Sequence, residues 1–338
     1  MRVTILDDYA DTLRSLRCFE LLDGHDVEVF TDHSDDVGLL AERLASTEAL
    51  VLIRERTAVH GPLLERLSHL ALISQRSVYP HIDIEACTRL GIVVSSDLHA
   101  GSPSFATAEL TWGLILASER RIPDQVASLR EGRWQGEMGR TVRGKTLGVL
   151  GYGRIGAVVA GYGAAFGMRV MAWGSESSRE RAIADGVGVA TSRDALFEAA
   201  DILSVHLRLV EATRGTIRAD DLARMQPGSL FVNTSRAGLV EPGALAAALR
   251  RGRPGRAAVD VFDTEPLFGR TDELATVPGA LCTPHIGYVT TDEWELQFSE
   301  VFAQVNAFAS GAPTSVVNPD VLESPALRGP PAPQGAQR

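Results

Sequence analysis

Three residues with distinct chemistry lie in the second half of this 338-residue chain. Arg236, Glu265 and His285 each follow an apolar run that is typical of a strand. A guanidinium can bind a carboxylate through two hydrogen bonds and polarise a neighbouring ketone oxygen. A histidine can donate and recover a proton near neutral pH, and a carboxylate on its other ring nitrogen would fix its tautomer. Each residue alone could be structural, but together they indicate a site that binds an acid and moves a proton.

A glycine-rich turn precedes these three residues in the chain. It reads Gly151-Tyr152-Gly153-Arg154-Ile155-Gly156, with a strand-like run directly before it and a helical run after it. In this context the first glycine permits a tight turn, the second lets the backbone approach a pyrophosphate, and the third lets helix and strand pack closely. The amides of Arg154 and Ile155 would begin the helix and could donate to phosphate oxygens. The turn therefore predicts a bound dinucleotide.

The segment after the next predicted strand bears on which dinucleotide is bound. An acid usually follows this strand and bonds the adenosine ribose, which favours NAD over NADP. Here Ser175 and Glu176 occupy the region, and Glu176 lies 20 residues past Gly156. We predict that both contact the ribose and that the cofactor is NAD, with a solvated loop carboxylate as the alternative. NADP stays open because Arg179 and Arg181 follow closely.

Apolar, β-branched runs alternate with helical segments along most of the chain, as in parallel sheets covered by helices on both faces. This rhythm predicts two doubly wound α/β units, the second inserted between parts of the first, with ligands bound in a cleft at the carboxyl ends of strands. The predicted strands are Val3–Leu6, Val27–Phe30, Ala49–Ile53, Leu70–Ile73, Ile92–Val94, Thr146–Leu150, Val170–Ala172, Ile202–Val205, Leu230–Asn233, Ala257–Val261 and Leu281–Thr283.

Two long helices are expected where the chain passes between the units. One runs from about Thr107 to Ile122 and ends near Pro123, and a further helix after it reaches Gly132-Arg133-Trp134. The other long helix runs from about Asp292 to Ala309. The Pro-, Ala-, Gly- and Gln-rich segment 324–338 has little to bury, so we expect a disordered tail there.

The composition excludes several classes of protein. Its 45% apolar and 22% charged residues are typical of a globular protein. The formal net charge of -10 argues against a nucleic-acid partner. No run approaches the length of a membrane span, and the first residues lack a signal-peptide pattern. Three scattered cysteines without metal-ligand spacing predict no metal site and fit a cytoplasmic protein.

Three motifs around the candidate residues strongly resemble those of the D-isomer-specific 2-hydroxyacid dehydrogenases. They are Val232-Asn233-Thr234-Ser235-Arg236-Ala237-Gly238, Ala258-Val259-Asp260-Val261-Phe262-Asp263-Thr264-Glu265-Pro266 and Thr283-Pro284-His285-Ile286-Gly287. The resemblance extends to about residue 315. It implies that Arg236, Glu265 and His285 are catalytic. It also implies a Rossmann NAD(P)-binding domain at 108–287, inserted into a flavodoxin-like substrate domain at 1–107 and 288–323.

Further roles are implied by the resemblance alone. His206, Thr234, Ser235 and Asp260 occupy positions that contact the cofactor in the family, although Asp260 could instead cap the end of its strand. The segment 117–134 resembles the family's dimer-forming region, which implies a homodimer.

The chain departs from the family where a glycine-rich loop usually receives the substrate carboxylate. Residues 73–83 contain no glycine. We therefore expect the side chains of Arg76 and Ser77 to line the pocket, and the usual small substrates are in question. Arg54 and Arg56 follow a predicted strand and are placed to bind a second anionic group, with solvated ion pairs as the alternative. Arg208 replaces a proline that is usual in the family.

The expected activity is the transfer of a hydride between NAD(P) and a D-2-hydroxy acid or its 2-oxo acid. A dinucleotide-sensing scaffold, like the transcriptional corepressors with this fold, is the alternative from another class, because such proteins can retain Arg236, Glu265 and His285. Phosphite dehydrogenases also share these three residues and form a further alternative.

Overall fold

The structure, a computed structural model, describes residues 1–97, 105–269 and 271–329. These residues form two compact units, each built on one parallel β-sheet. The first unit contains residues 1–97 and 290–329, and the second contains the described residues from 105 to 289. The predicted fold class, two doubly wound α/β units with one inserted into the other, is confirmed.

The first unit has a five-stranded sheet in the order β2-β1-β3-β4-β5, which is the flavodoxin-like order. In such sheets ligands bind outside the carboxyl ends of the strands, at the point where the strand order reverses. Its strands are β1 (Arg2–Ile5), β2 (Asp26–Val29), β3 (Ala49–Val51), β4 (Leu72–Arg76) and β5 (Val93–Asp97). The helices between them are α1 (Val37–Arg43), α2 (Gly61–Leu64) and α3 (Ile84–Arg89).

The second unit has a seven-stranded sheet in the order β12-β11-β10-β9-β6-β7-β8. The order reverses between β6 and β9, as in Rossmann folds. Its strands are β6 (Thr146–Leu150), β7 (Arg169–Trp173), β8 (Gly188–Val189), β9 (Ile202–Val205), β10 (Leu230–Asn233), β11 (Arg256–Val259) and β12 (Ala280–Cys282). Its helices are α4 (Phe105–Glu119), α5 (Ile122–Arg130), α6 (Arg154–Ala165), α7 (Glu176–Ala184), α8 (Arg193–Ala199), α9 (Ala219–Arg224), α10 (Ala244–Arg250) and α11 (Glu273–Thr276).

The helix α12 (Thr291–Ala309) returns the chain to the first unit. It starts where the hydroxyl of Thr290 accepts the Glu293 N–H at 3.2 Å, as N-cap residues do. Its Phe302 is fully buried and meets Phe19 edge-on at 6.0 Å between ring centroids. Across the residues that the structure describes, no helix has the length and apolar character to cross a membrane.

Strand β10 explains why the second sheet is covered on both faces. All four of its residues are buried, and successive side chains point to opposite faces. Leu230 and Val232 join the apolar cluster that contains Leu147 and Trp112, whereas Phe231 joins the cluster on the other face. Near-continuous apolar runs of this kind are therefore needed for a doubly covered parallel sheet.

The predicted elements are confirmed except at several ends. The helix expected from about Thr107 to Ile122 is α4, which ends at Glu119, before Arg121 with its left-handed φ of 53°. The second helix expected after it is α5, with Pro123 in its first turn. Helix α7 begins at Glu176, the residue predicted to contact the ribose. The short edge strand β8 was not predicted.

The prediction of a disordered tail from residue 324 is wrong for residues 324–329. The Arg328 guanidinium donates to the carbonyls of Leu67 and Leu70, at 2.7 Å each, and the Arg328 N–H bonds the Gly91 carbonyl at 2.9 Å. A Cβ on Gly91 would lie 1.7 Å from the Ala326 carbonyl, so the glycine permits this close contact. Residues 330–338 lie outside the described residues.

Candidate active site

His285 and Glu265 form a close pair at the carboxyl edge of the second sheet. The Nδ1 of His285 lies 2.5 Å from one oxygen of Glu265, and the other oxygen accepts the Phe262 N–H at 2.8 Å. Both side chains are partly exposed, at 24% and 33%. Because the pair occupies Nδ1, it fixes the ring orientation and directs proton exchange with a ligand to Nε2.

The loop that carries His285 is held by a buried carboxylate. Asp260 is fully buried and accepts the Thr283 hydroxyl at 2.6 Å and the N–H groups of Ile286 and Gly287 at 2.9 and 2.8 Å. Burial raises the pKa of Asp260 above its ordinary value, although these bonds oppose the rise. His285 itself has a left-handed φ of 52°, a conformation that the surrounding bonds must maintain.

The predicted contact between Asp260 and the cofactor stays a prediction. The carboxylate has no solvent exposure, and every bond given above joins it to the 283–287 loop. The alternative that the sequence left open, a cap at the end of the strand, describes its environment.

Arg236 lies in a loop whose backbone is fixed by its neighbours. The side chain of Asn233 accepts the Ser235 N–H and donates to the Arg236 carbonyl, at 3.0 Å each. The hydroxyl of Ser235 donates to a β9 carbonyl at 2.8 Å, and the hydroxyl of Thr234 bonds that of Thr111 at 2.8 Å. Thr234 and Ser235, predicted to contact the cofactor, thus use their hydroxyls to hold the Arg236 loop.

The glycine turn at the end of β6 has the close contacts that its motif predicts. Gly151 has φ +99°, and a Cβ there would lie 2.6 Å from the His206 carbonyl. A Cβ on Gly156 would lie 2.2 Å from the Gly151 carbonyl, so helix α6 can approach the turn only with glycine. At Gly153, in contrast, no heavy atom of the described residues outside its neighbours lies within 4 Å of the Cβ position. That space fits a pyrophosphate that approaches the backbone.

Helix α6 starts at this open space. Its first residues are Arg154 and Ile155, with Gly153 as the N-cap residue in an extended conformation. The first amides of a helix have no partner within the helix and carry its positive dipole end. Together with the open space at Gly153, they fit the phosphates of a dinucleotide.

His206 lies beside the turn, at the reversal between β6 and β9. Its Nε2 lies 2.8 Å from the Ser204 hydroxyl, and its N–H donates to the Leu150 carbonyl at 2.8 Å. Burial lowers the pKa of His206 to about 4, so the ring is neutral at physiological pH.

At the end of β7, Ser175 and Glu176 begin helix α7. The hydroxyl of Ser175 accepts the Ser178 N–H at 3.3 Å and caps the helix. Glu176 is the first helical residue and is exposed. The only acid predicted for the ribose therefore lies on the helix rather than at the end of the strand.

In the first unit, non-glycine residues follow three strands in left-handed conformations. They are Asp7 after β1, Arg54 after β3 and Ser77 after β4, with φ of 64°, 58° and 87°. The Ser77 N–H donates to the Asp97 carbonyl at 2.9 Å. Non-glycine residues in this region cost energy and cluster at functional sites. The carboxyl edge of this sheet thus holds stored strain.

Arg76 does not have the pocket position that the sequence predicted for it. The side chain is 8% exposed, and its Nε lies 3.2 Å from Glu300 while its Nη1 lies 3.7 Å from Glu293, both on α12. Ser74, two residues earlier on the same strand face, also bonds α12 at the Val301 carbonyl. The alternation of β4 therefore directs Arg76 towards this helix.

Arg56 has local partners as well. Its Nη1 donates to the Asp7 carbonyl at 2.6 Å, and its guanidinium lies 4.4 Å from the centre of the Tyr9 ring. The Asp7 carboxylate accepts the Thr57 hydroxyl at 2.5 Å and pairs with His33 at 2.8 Å. Arg56 is thus held at the β1 end by a bonded cluster.

The comparison with known families is decisive at this point. Residues 112–287 match the family model "D-isomer specific 2-hydroxyacid dehydrogenase, NAD binding domain". The chain belongs to this family. The match covers the glycine turn and the three candidate catalytic residues, so the dehydrogenase has NAD as its cofactor and acts on a CH–OH group.

Relatives of the dehydrogenase agree along most of its length. The glyoxylate reductase of Aeropyrum pernix is 36% identical, with 88% of this chain and 91% of that protein aligned. A crystal structure of an oxidoreductase from Ralstonia solanacearum is 51% identical, covers 96% of this chain and 99% of its own, and has a TM-score of 0.91. D-lactate dehydrogenase from Aquifex aeolicus, complexed with NAD and lactic acid, is 27% identical over 95% of this chain and 97% of its own, with a TM-score of 0.71.

Sequence reasoning about the dehydrogenase missed the residues that hold its loops. Asn233 and Thr283 position the loops of Arg236 and His285. Their only sequence signal is a polar residue at or just after the last position of an apolar strand. That signal is weak, because many strand ends carry such residues.

Proposed function

We propose that this dehydrogenase reduces a 2-oxo acid to the D-2-hydroxy acid, and catalyses the reverse, with Arg236 binding the carboxylate and the His285–Glu265 pair moving the proton. Residues 108–287 would serve as the cofactor-binding domain, and residues 1–107 and 288–323 as the substrate domain. The observation that carries the proposal is the 2.5 Å contact between His285 and Glu265 on the sheet that also bears the glycine turn.

The proton would pass through Nε2 of His285. The cofactor, when bound, would supply a hydride to the substrate C2 as NADH and would accept one from C2 as NAD+. As the ketone oxygen gains charge, the protonated ring donates to it, and in the reverse direction the neutral ring takes the proton from the hydroxyl. Glu265 holds the ring at Nδ1 and leaves Nε2 for the substrate oxygen. The left-handed backbone of His285 and the bonds of Asp260 keep the ring in place.

Arg236 would bind the substrate carboxylate with the two parallel N–H groups of its guanidinium. The same group can polarise the ketone, because a 2-oxo acid presents the two functions side by side. The bonds of Asn233 on both sides of this loop support a fixed backbone for the arginine. Fixed donors stabilise developing charge better than mobile ones, since they need no reorganisation.

The cofactor would lie over the turn that begins at Gly151, with its pyrophosphate above Gly153 and at the amides of Arg154 and Ile155. Both the open space at Gly153 and the helix start support this position. His206 would stay neutral beside it, which its lowered pKa favours.

The substrate would carry a second anionic group, such as a phosphate or another carboxylate. Arg54 and Arg56 support this part of the proposal, since both follow β3 at the carboxyl edge of the first sheet. The hydrogen bond to Asp7 and the contact with Tyr9 hold Arg56 in one place, which lowers the entropy lost on binding an anion.

A substrate panel tests the proposal. Oxidation of NADH would be measured with unsubstituted, dicarboxylic and phosphorylated 2-oxo acids, and we expect turnover to be highest with a member that has two anionic groups. Cofactor binding without turnover of any member would favour the dinucleotide-sensing scaffold instead. Reduction of NAD by phosphite would favour the phosphite dehydrogenase alternative.

We also propose that the dehydrogenase forms a homodimer through the helix α5 and the segment after it. Ile122, Val126 and Leu129 on α5 are 48%, 42% and 58% exposed, and Trp134 and Met138 are 81% and 94% exposed. Such a cluster of large apolar side chains supports an interface with a second copy. Light scattering at micromolar concentration should give the dimer mass, and Trp134→Ser should shift it towards the monomer. A monomer mass for the unchanged protein would refute the interface.

A further inference from the structure

The end of strand β7 lacks a side chain at the position next to the glycine turn. The Gly151 N–H donates to the Trp173 carbonyl at 2.8 Å, which places the following residue, Gly174, beside the turn. A Cβ on Gly174 would lie 3.6 Å from the Gly151 Cα. In NAD-specific Rossmann units an acid in this region bonds the ribose 2′-hydroxyl and repels a 2′-phosphate. This chain has no carboxylate at that point.

An acid at position 174 would also require Ser178 to move. A Cβ on Gly174 would lie 2.7 Å from the hydroxyl oxygen of Ser178, and that oxygen accepts the Tyr152 N–H at 2.7 Å. The Tyr152 hydroxyl in turn donates to Asp185 at 3.0 Å. Helix α7 is therefore hydrogen-bonded directly to the glycine turn. The Ser178 hydroxyl that makes this bond lies where a side chain at position 174 would begin.

A cation lies where the acid is missing. The guanidinium of Arg179 is 4.6 Å from the centre of the Trp173 ring, and its Nη1 donates to the Gly174 carbonyl at 3.1 Å. The ring contact holds the charge against the end of β7. A guanidinium has five N–H donors, so one hydrogen bond leaves donors for a phosphate.

The one nearby acid opposes this cation only weakly. Glu176 begins α7 and is exposed, so its repulsion of an anion is screened by water and salt. The exposed Glu176 therefore opposes an anion at the end of β7 less than the acid of an NAD-specific site would.

We propose that Arg179 is the specificity-determining residue at the adenosine end, and that it allows the dehydrogenase to bind NADP nearly as well as NAD. The proposal rests on the position proposed above for the cofactor at the glycine turn. The guanidinium contacts the 2′-phosphate of NADP, whereas binding of NAD requires no contact between Arg179 and the 2′-hydroxyl. The site thus accepts both cofactors.

Isothermal titration of the full-length protein with NAD+ and with NADP+ tests this directly, without turnover. We expect the two dissociation constants to lie within about tenfold of each other. In Arg179→Gln the dissociation constant for NADP+ should rise by about tenfold or more, which is the affinity typically lost with a charged hydrogen bond. The dissociation constant for NAD+ should change far less. Glu176→Gln should lower the NADP+ constant.

Arg181→Gln is the matched control, since it removes an equal charge from the same helix. Arg181 faces the Tyr152 carbonyl at 3.5 Å rather than the end of β7, and the ratio of the two constants should stay near that of the unchanged protein. NADP+ binding more than about tenfold weaker than NAD+ binding would overturn this inference while leaving the proposed cofactor position intact. The same ratio change in both arginine variants, or no change in Arg179→Gln, would also overturn it. Failure of both cofactors to bind would refute the proposed cofactor position as well.

Discussion

The carboxyl edges of the two sheets obtain unusual backbone conformations in different ways. At the second sheet, glycines at 151, 153 and 156 form the close turn, and among the described strand-end residues that are not glycine only His285 is left-handed. At the first sheet, Asp7, Arg54 and Ser77 take left-handed conformations without glycine. Close backbone approach at the second edge therefore depends on glycine, whereas the left-handed positions of the first edge keep their side chains.

This difference predicts that substitutions in the two units affect different kinetic constants. In the proposed function the second unit holds the cofactor and the proton-transfer pair, so changes there should lower the rate of the chemical step. The first unit would select the substrate through side chains, so changes there should act on binding. The following predictions test this division.

The largest effect is expected at His285. His285→Ala or His285→Asn should lower kcat by roughly two to four decades, the range lost with a general acid, while NAD binding stays nearly intact. His69, an exposed histidine of the first unit, provides the control, and His69→Ala should retain turnover. Steady-state kinetics with calorimetric cofactor binding would show this, and near-normal turnover in the His285 variants would remove it from the mechanism.

Arg236→Lys should have the next largest effect. Lysine keeps the charge but lacks the planar pair of donors, so both substrate affinity and rate should fall, with kcat/KM lower by roughly one to two decades. The kinetic constants and the thermal unfolding midpoint of the variant would both be measured and compared with those of the unchanged protein. A change in the midpoint alone would mean that Arg236 is structural.

A smaller effect, on binding, is expected in the first unit. Ser77→Gly relieves the left-handed serine and removes its hydroxyl from the loop after β4. We expect KM for the 2-oxo acid to change by less than about tenfold, with kcat nearly unchanged, as for a contact made equally in ground and transition states. A drop in kcat comparable to that of the His285 variants would break the proposed division.

Acid should destabilise the first unit through His81. This residue is buried, neither ring nitrogen has a partner among the described residues, and burial lowers its pKa from 6.5 to about 4. Between pH 6.5 and pH 4 the ring is therefore protonated in the unfolded chain but not in the folded one. The free energy of unfolding falls as the pH drops through this range.

A drop from pH 7 to pH 5 should therefore lower the free energy of unfolding by about 2 kcal/mol through His81 alone. His81→Leu cannot titrate, and urea unfolding at the two pH values should show a correspondingly smaller loss. Asp260, whose pKa is raised, acts in the opposite direction in the second unit, because its folded form takes up a proton first. An unchanged pH slope in the variant would contradict the burial of a neutral ring.

The elements and the candidate chemistry could be predicted because their signals are local. The turn at Gly151 and the strand ends before Arg236 and His285 depend on neighbouring residues and short periodicities. Arg76 could not be placed, because its partners lie on α12 at the far end of the chain. The internal bonds of Asp260 and the contacts of Arg328 likewise join residues that are distant in sequence or on another element.

The central claim is that the protein delivers a hydride to C2 of a 2-oxo acid and a proton to its oxygen. Turnover of the best panel substrate with NADH carrying deuterium at the transferred position, followed by chiral analysis and mass spectrometry, tests it most directly. We predict a D-2-hydroxy acid with one deuterium at C2, formed by the unchanged protein and lost with His285→Ala. An L product, a product without deuterium at C2, or no NADH oxidation with any 2-oxo acid would contradict it.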